Sequence, residues 1–254
     1  MNKTELVAAM AEKAGLSKKD AEAALKAFTE TVAEELKKGE KIAARIEECI
    51  ANPSILKSIE DNLKYLDLLK KKNISYVFIS SHMPEADERF ENELKLVLDY
   101  CKDNGMKIIL DVNKNRLLDL ESKGLIEGID TIRLDYGFSK EEILSYQNRS
   151  FNVQLNASTV KSDLIEYLRA NNANLDKYSL SHNFFPKPYT GLSYEEVKKR
   201  NEYYHSMGFK VMTYMPSFVN RRMPLYKGLV SIEEQRNSNV IANVSELILL
   251  GSDM

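Results

Sequence analysis

The sequence contains little that would indicate a secreted, membrane-bound or nucleic-acid-binding protein. Its 254 residues include two cysteines, Cys49 and Cys101, which lie far apart and lack metal-type spacing. The N-terminus has no charged-then-apolar secretory pattern, and no apolar run approaches the roughly 18 residues that a membrane span needs. A net charge of -2 and a pI near 6.1 exclude the basic balance of a dedicated nucleic-acid binder. These absences predict a protein of the reducing cytoplasm.

Recognisable catalytic motifs are equally scarce. No GxGxxG or phosphate-loop glycine run follows any predicted strand, which disfavours a nucleotide-binding sheet. The sequence has no HExxH or paired CxxC spacing and no Ser/His/Asp nucleophile elbow. Function must therefore be inferred from the polar residues that end the predicted strands.

The composition changes near residue 42, which predicts two parts of different origin. Residues 1–41 are rich in Ala, Lys and Glu and contain no Arg. A first helix is predicted to stop at Gly15, and Ser17 with Asp20 forms a variant of the capping box for a second helix. The apolar residues at helical spacing are Leu6, Val7, Met10, Ala14, Ala21, Leu25, Phe28, Val32 and Leu36. This pattern predicts a helical hairpin with an exposed apolar face.

The hairpin carries a specific resemblance. MNKTEL, GLSKKDA and LKKGEK occur in the order found in HU-type bacterial histone-like proteins, and residues 1–42 resemble the first two helices of that family. The sheet and the basic β-arms with which such proteins grip DNA have no counterpart here. Residues 1–42 hold eight lysines and eight acidic residues, so the counterion-release contribution to DNA affinity is largely missing. Dimerisation or packing through the apolar face is therefore favoured over DNA binding.

After residue 55 the sequence alternates predicted helices and strands. The six strands read SYVFIS, KIILDV, IDTIRLDY, FNVQLNA, KYSLS and KVMTYMP, and one predicted helix separates each pair of neighbours. This alternation predicts a parallel sheet, either doubly wound or closed into an eightfold barrel. The predicted fold class is α/β, a (β/α)8 TIM-barrel type that is incomplete because it lacks clear first and last strands. A linker at residues 43–54 is predicted to join it to the helical hairpin.

Polar residues end the predicted strands, and this favours the barrel. In TIRLDY, Arg133 and Asp135 share one face of the strand, where burial is costly without a partner or a function. The other strand-end polar residues are Ser80, Ser81, His82, Asp111, Asn156, Ser158, His182, Asn183 and Tyr214. In a barrel such residues converge on one rim, where these enzymes place their active sites.

The motifs around these residues resemble a known family. TIRLDYGFS, QLNAST, HNFFPKPYTGLS and RMPLYKGLVSIEEQR are similar to motifs of the MupG family of bacterial 6-phospho-N-acetylmuramidases, in the same order over residues 55–254. The resemblance implies a TIM-barrel catalytic domain that hydrolyses the β-linkage between N-acetylmuramic acid 6-phosphate and N-acetylglucosamine in cell-wall recycling. It implies no metal or organic cofactor. The usual first barrel-strand motif of the family has no counterpart in the sequence, which predicts that this strand is missing, and Met223, Lys227 and Gln235 replace the usual glycine, glutamate and histidine.

Two carboxylates are the candidate catalytic residues. Glycoside hydrolysis usually needs a proton donor and a second carboxylate that acts as nucleophile or base. Asp135 is the first choice, Asp111 the second, and Glu85 a third candidate. Arg133 could hold Asp135 ionised or bind a substrate phosphate or carboxylate, whereas the alternative is a structural Arg–Asp pair. For Asp111, a simple hydrogen-bonding role at the rim is favoured over a catalytic one.

The loop HNFFPKPYTGLS is predicted to bind the sugar. Pro186 and Pro188 stiffen it, which lowers the entropy cost of binding. The alternative is a rigid connection that packs Phe184 and Phe185. The candidate substrate-binding residues are His82, Glu85, Arg133, Asn156, Ser158, His182, Asn183, Tyr189, Arg222 and Tyr226. For the phosphate, the basic candidates are Lys187, Arg221, Arg222 and Lys227, unless these are solvated surface residues.

Three functions remain open from the sequence. The favoured function is a glycosidase acting on a phosphorylated amino-sugar disaccharide. The second is a barrel that binds a sugar phosphate without turning it over. The third is a nucleoid-associated protein that uses its HU-like helices, with DNA as its partner.

Overall fold

The computed structural model describes residues 3–38, 43–45, 59–81, 88–217, 221 and 225–253. Seven strands form one parallel sheet in sequence order. They are β1 (Ala43–Arg45), β2 (Tyr76–Ser80), β3 (Lys107–Val112), β4 (Thr131–Leu134), β5 (Asn152–Asn156), β6 (Tyr178–Ser181) and β7 (Lys210–Met212). The six strands predicted from the sequence are all present. Strands in sequence order with a helix between neighbours confirm the predicted α/β fold of TIM-barrel type, in which the sheet is curled but not closed.

Nine α-helices are described. Two precede β1 and the others follow successive strands. They are α1 (Lys3–Ala14), α2 (Lys18–Lys38), α3 (Ile59–Lys71), α4 (Glu88–Asp103), α5 (Lys114–Ser122), α6 (Lys140–Ser145), α7 (Ser162–Ala170), α8 (Tyr194–Ser206) and α9 (Val240–Leu249). A 3-10 turn at Glu233–Asn237 precedes α9. None of the helices in the described ranges is long and apolar enough to cross a membrane.

Strand β1 lies where the sequence predicted the start of a linker, so that prediction is wrong for residues 43–45. Ala43 pairs in parallel register with Tyr76, and Arg45 pairs with Phe78. Three residues are too few to show a period-2 pattern. The partner for their backbone groups is the edge of β2, which local sequence does not reveal.

The chain also returns to the outer edge of β7 after α9. The backbone N–H of Asp253 donates to the carbonyl of Val211 (2.8 Å), and the Asp253 carboxylate accepts from the Val211 N–H (2.8 Å). The hydroxyls of Ser252 and Thr213 are 2.6 Å apart. Residues 252 and 253 therefore lie beside β7, where the next strand of a barrel would enter.

The two faces of the sheet bury different cores. One face packs against the helices, and this layer holds most of the buried aliphatic residues, among them Val77, Ile108 and Leu180 of the sheet and Leu98 of α4. On the other face Phe78 packs against Phe184 and Tyr214 in edge-to-face contacts, with ring centroids 5.4 Å apart for Phe78 and Tyr214 and 5.2 Å for Phe184 and Tyr214. Phe184 therefore belongs to an aromatic cluster inside the curled sheet, and it does not pack into the outer shell.

The helical hairpin forms as its sequence predicts. Gly15 ends α1 with a left-handed φ of 65°, and the Ser17 hydroxyl accepts from the backbone N–H of Asp20 at 3.1 Å. Val7 is buried together with Ala21 at the centre of the hairpin. Helix α2 also contacts α9. Part of the hairpin therefore packs onto the α/β part of the same chain.

Candidate active site

Arg133 is the centre of the polar residues at the carboxyl-terminal edge of the sheet. Its Nη1 donates to Asp111 Oδ1 (2.7 Å), its Nε to Ser181 Oγ (2.7 Å) and its Nη2 to Asn183 Oδ1 (2.8 Å). Asp111 and Arg133 are register partners on β3 and β4, so their side chains emerge on the same face. Burial is the largest single effect and disfavours the charged guanidinium, but the opposing interactions, led by the Asp111 charge, together raise the pKa of Arg133. Arg133 is thus a buried cation held by an anion and two neutral acceptors.

The two predicted catalytic carboxylates lie on the same guanidinium but differ in access to solvent. Asp135 Oδ1 is 3.9 Å from Arg133 Nη1, farther than the 2.7 Å of Asp111 Oδ1. The Asp135 side chain is 27% exposed, whereas that of Asp111 is 7% exposed. Only Asp135 therefore offers a substantial carboxylate surface to a substrate, and Asp111 acts mainly on Arg133.

Asn156, Ser158 and Asn183 form the second part of the site. Asn156 Nδ2 donates to Asn183 Oδ1 (2.9 Å) and lies 3.4 Å from Asp135 Oδ1. Asn156 Oδ1 accepts from the Ser158 backbone N–H (3.0 Å), and Ser158 Oγ accepts from the Asn183 backbone N–H (2.8 Å). In the structure the Ser158 hydroxyl oxygen anchors the backbone of Asn183, and the contact of Ser158 with substrate stays a prediction.

His182 does not join these residues, so its assignment to the sugar site needs correction. Its side chain is fully buried on the helix side of the sheet, where its Nε2 is 2.8 Å from Asn201 Oδ1 of α8. Asn201 donates its own amide to the carbonyl of Leu250 (2.9 Å), so Nε2 of His182 is the donor. Ser181 and Asn183 face Arg133, and His182 between them must point the opposite way.

Acidification is expected to destabilise the protein through His182. Burial lowers the pKa of His182 from 6.5 to about 4. The unfolded chain therefore binds a proton at this histidine more tightly than the folded chain does. The contribution of His182 to the free energy of unfolding is fully present above pH 6.5 and is lost as the pH falls toward 4. We expect a loss of about 2 kcal/mol from this group between pH 7 and pH 5. Urea unfolding at both pH values should show a smaller loss for His182→Gln, and equal losses in variant and parent would contradict the assignment.

Two exposed tyrosines stand on the loops that follow β6 and β7. Tyr189 is 94% exposed with φ 64°, and Tyr226 is 56% exposed with φ 52°. Both were predicted to bind substrate. A bulky residue in the left-handed region is strained and persists only where its surroundings hold it, and such residues are concentrated at functional sites.

Arg236 holds these two loops together, and sequence reasoning missed it. All five of its N–H groups are used. They donate to both carboxylate oxygens of Glu233 (2.7 and 2.6 Å) and to the carbonyls of Phe185 (3.0 Å), Lys187 (3.1 Å) and Gly228 (3.1 Å). The bond from Arg236, with backbone N–H groups that include Gly191, lowers the pKa of Glu233 to about 2. The sequence contained only an indirect signal for this role. The motifs HNFFPKPYTGLS and RMPLYKGLVSIEEQR each combine a tyrosine with a glycine, and Arg236 is the last residue of the second motif.

Glycine is required where the first loop meets this ion pair. A Cβ on Gly191 would lie 2.9 Å from both the backbone nitrogen and Oε2 of Glu233, closer than real Cβ contacts. The loop HNFFPKPYTGLS is therefore fixed by prolines, by a close approach at Gly191 and by Arg236. Its conformation places Asn183 at its start beside Arg133 and exposes Tyr189 near its end.

The remaining candidates fall into two groups. His82, Glu85 and Arg222 lie outside the described residues. Lys187 and Lys227 are exposed on the two loops that Arg236 joins, whereas Arg221 donates from its Nε to the carbonyl of Ser217 (3.2 Å). Within the described ranges, no group of three or more His, Cys, Asp or Glu side chains could hold a metal ion.

Comparison with solved structures supports the fold. A conserved Enterococcus faecalis protein of unknown function superposes with a TM-score of 0.65 at 24% identity, covering 76% of this chain and 54% of that one. An uncharacterized Bacillus cereus protein superposes with a TM-score of 0.63 at 26% identity, covering 78% of this chain and 54% of that one. The chain therefore spans about half the length of these relatives.

The two parts of the chain match two different families. DNA-binding protein HU of Clostridium pasteurianum is 64% identical over 42 residues, which are 16% of this chain and 46% of that protein. The bacterial DNA-binding protein family matches residues 1–46, and the 6-phospho-N-acetylmuramidase N-terminal family matches residues 54–254. Because the second match covers most of the chain, the chain belongs to the 6-phospho-N-acetylmuramidase family and has its glycosidase-type barrel after an HU-like segment.

Proposed function

We propose that this protein is a glycoside hydrolase that cleaves N-acetylmuramic acid 6-phosphate from N-acetylglucosamine in cytoplasmic cell-wall recycling. The observation that carries the proposal is Asp135, a partly exposed carboxylate beside the buried Arg133–Asp111 pair. Asn156 Nδ2 connects Asp135 to Asn183, whose amide group is suited to sugar hydroxyls and carbonyls. Family membership supports the reaction class.

Asp135 is the residue that we assign to the reaction. A carboxylate beside the anomeric carbon can act as nucleophile or activate water. Asp111 is nearly buried and engaged by Arg133, so we assign it a positioning role. Because Asp111 is hydrogen-bonded to Arg133 at 2.7 Å, we assign proton donation to the leaving oxygen to another group.

The two loops joined by Arg236 are suited to the phosphorylated sugar. Tyr189 and Tyr226 offer aromatic faces for the apolar side of a sugar ring. The exposed Lys187 and Lys227 offer cations to the phosphate, and the loops after the last strands of a barrel often bind phosphate. We propose that these loops select the 6-phosphorylated substrate.

Release of N-acetylglucosamine from the phosphorylated disaccharide tests the proposal. We expect turnover by the full chain, and much slower turnover of the same disaccharide without its phosphate. An exposed-site variant, Asp176→Asn at the amino end of β6, should match the parent. Binding of the phosphorylated disaccharide in a thermal-shift assay, without release of product, would overturn the hydrolase and support a binding protein.

A further inference from the structure

Asn183 has a side-chain orientation that its neighbours determine. Its Oδ1 accepts from Arg133 Nη2 at 2.8 Å and from Asn156 Nδ2 at 2.9 Å. Both partners carry only donors at these atoms, because guanidinium and amide nitrogens cannot accept. The oxygen of the Asn183 amide must therefore face into the protein, and its nitrogen must face the other way.

The backbone of Asn183 is fixed as well. Its N–H donates to Ser158 Oγ (2.8 Å), and its carbonyl accepts from Ser231 Oγ (2.8 Å). The Ser231 hydroxyl in turn accepts from the Tyr214 N–H (3.0 Å). Residues on β4, on and directly after β5, and after β7 therefore hold both the side chain and the main chain of Asn183. Its amide group has little freedom to rotate.

The two N–H groups of Asn183 Nδ2 have no acceptor among the described residues. Asn183 is half-buried at the carboxyl-terminal edge of the sheet, and these donors point away from Arg133 and Asn156. Asn156 differs, because its Nδ2 is engaged by Asn183 and Asp135 and its Oδ1 by Ser158. A rigid donor without an internal acceptor is suited to an acceptor atom on a ligand.

Asn183 is also a close neighbour of the reacting carboxylate. Asn156 Nδ2 contacts both Asn183 Oδ1 (2.9 Å) and Asp135 Oδ1 (3.4 Å), so one amide group connects the two. A ligand group bound by Asn183 must therefore lie next to the sugar carbon that Asp135 approaches. In the proposed substrate that position carries an acetamido group, whose carbonyl oxygen is a strong acceptor.

We propose that Asn183 donates from Nδ2 to the acetamido carbonyl of the sugar and makes the site selective for N-acetylated amino-sugar phosphates. This inference rests on the proposed function. A site that hydrogen-bonds one substituent discriminates against a ligand that lacks it, because the donor is then left unpaired. Asn183 is thus a specificity-determining residue.

Two sugar phosphates test this selectivity by calorimetry on the full chain. N-Acetylglucosamine 6-phosphate carries the acetamido group, and 2-deoxyglucose 6-phosphate carries hydrogen at that carbon. We expect the parent to prefer the first by about tenfold or more. Asn183→Asp keeps an oxygen for Arg133 and Asn156 but replaces the donor by an acceptor, so the preference should disappear. The added charge affects both phosphorylated ligands alike, and the ratio of the two dissociation constants isolates the lost hydrogen bond.

Two further variants complete the test. Asn183→Leu removes the donor without adding charge, and it should also lose the preference if Asn183→Asp does not fold. Asn172→Asp makes the same chemical change at an exposed position after α7 and should keep the preference. A parent that binds neither ligand or does not distinguish them, or a folded Asn183 variant that keeps the parent ratio, would overturn the inference. Turnover of the disaccharide by the parent decides the proposed function separately.

Discussion

Asp135→Asn is expected to lower kcat for disaccharide hydrolysis by at least about 10²-fold. An amide is neither a nucleophile toward the anomeric carbon nor a base toward water. The carbonyl oxygen of the new side chain can still accept from Asn156, as the Asp135 carboxylate now does at 3.4 Å. The substrate-binding residues should therefore stay in place, and KM should change much less than kcat.

The measurement is the initial rate of N-acetylglucosamine release at several substrate concentrations. Asp176→Asn is the matched control, because it makes the same change on an exposed turn at the opposite end of the sheet. Near-ultraviolet circular dichroism should show that Asp135→Asn folds like the parent. If Asp135→Asn and the parent had equal kcat values, Asp135 would be excluded as a catalytic residue.

Arg133→Leu is expected to lower the free energy of unfolding by about 3 to 5 kcal/mol. The loss has a clear source, because Asp111 would remain buried without its cation. Ser181 Oγ would also lose its donor at 2.7 Å, whereas Asn183 Oδ1 would keep its bond from Asn156 Nδ2 at 2.9 Å. A buried charge and a buried oxygen without partners are each costly.

Urea unfolding of three variants separates this loss from the general effect of removing an arginine. Arg149→Leu removes an exposed arginine paired with Glu121, and it should cost about 1 kcal/mol or less. Adding Asp111→Leu to Arg133→Leu should recover part of the stability, because the unpaired anion is then removed. A cost for Arg133→Leu no larger than that for Arg149→Leu would show that the buried pair contributes little.

Alternation along the strands made much of the site predictable. Arg133 and Asp111 were predicted to share the rim with Asn156 and Asn183, and these four are connected by hydrogen bonds. His182 was grouped with them because polar residues at a strand end were treated as one set. Continuing the period of two beyond Ser181 would have assigned His182 to the helix side, where Asn201 holds it.

The parts that could not be predicted depend on contacts between distant segments. Arg236 joins the carbonyls of Phe185, Lys187 and Gly228, which lie on two different loops. No local pattern encodes such a bond, because the acceptors are backbone oxygens that every residue type possesses. Strand β1 was not predicted for the same reason, because its pairing partner is the backbone of β2.

Because of strand β1, the end of the HU-like family match does not coincide with the start of the α/β sheet. The HU-like match ends at residue 46 and so includes Ala43–Arg45, which is hydrogen-bonded to the glycosidase part. Cutting the chain between the two matches would leave backbone N–H and C=O groups along residues 76–78 without their partners, and exposed edges of this kind promote intermolecular association. The end of the HU-like segment therefore shields the edge of the glycosidase sheet from pairing with other molecules.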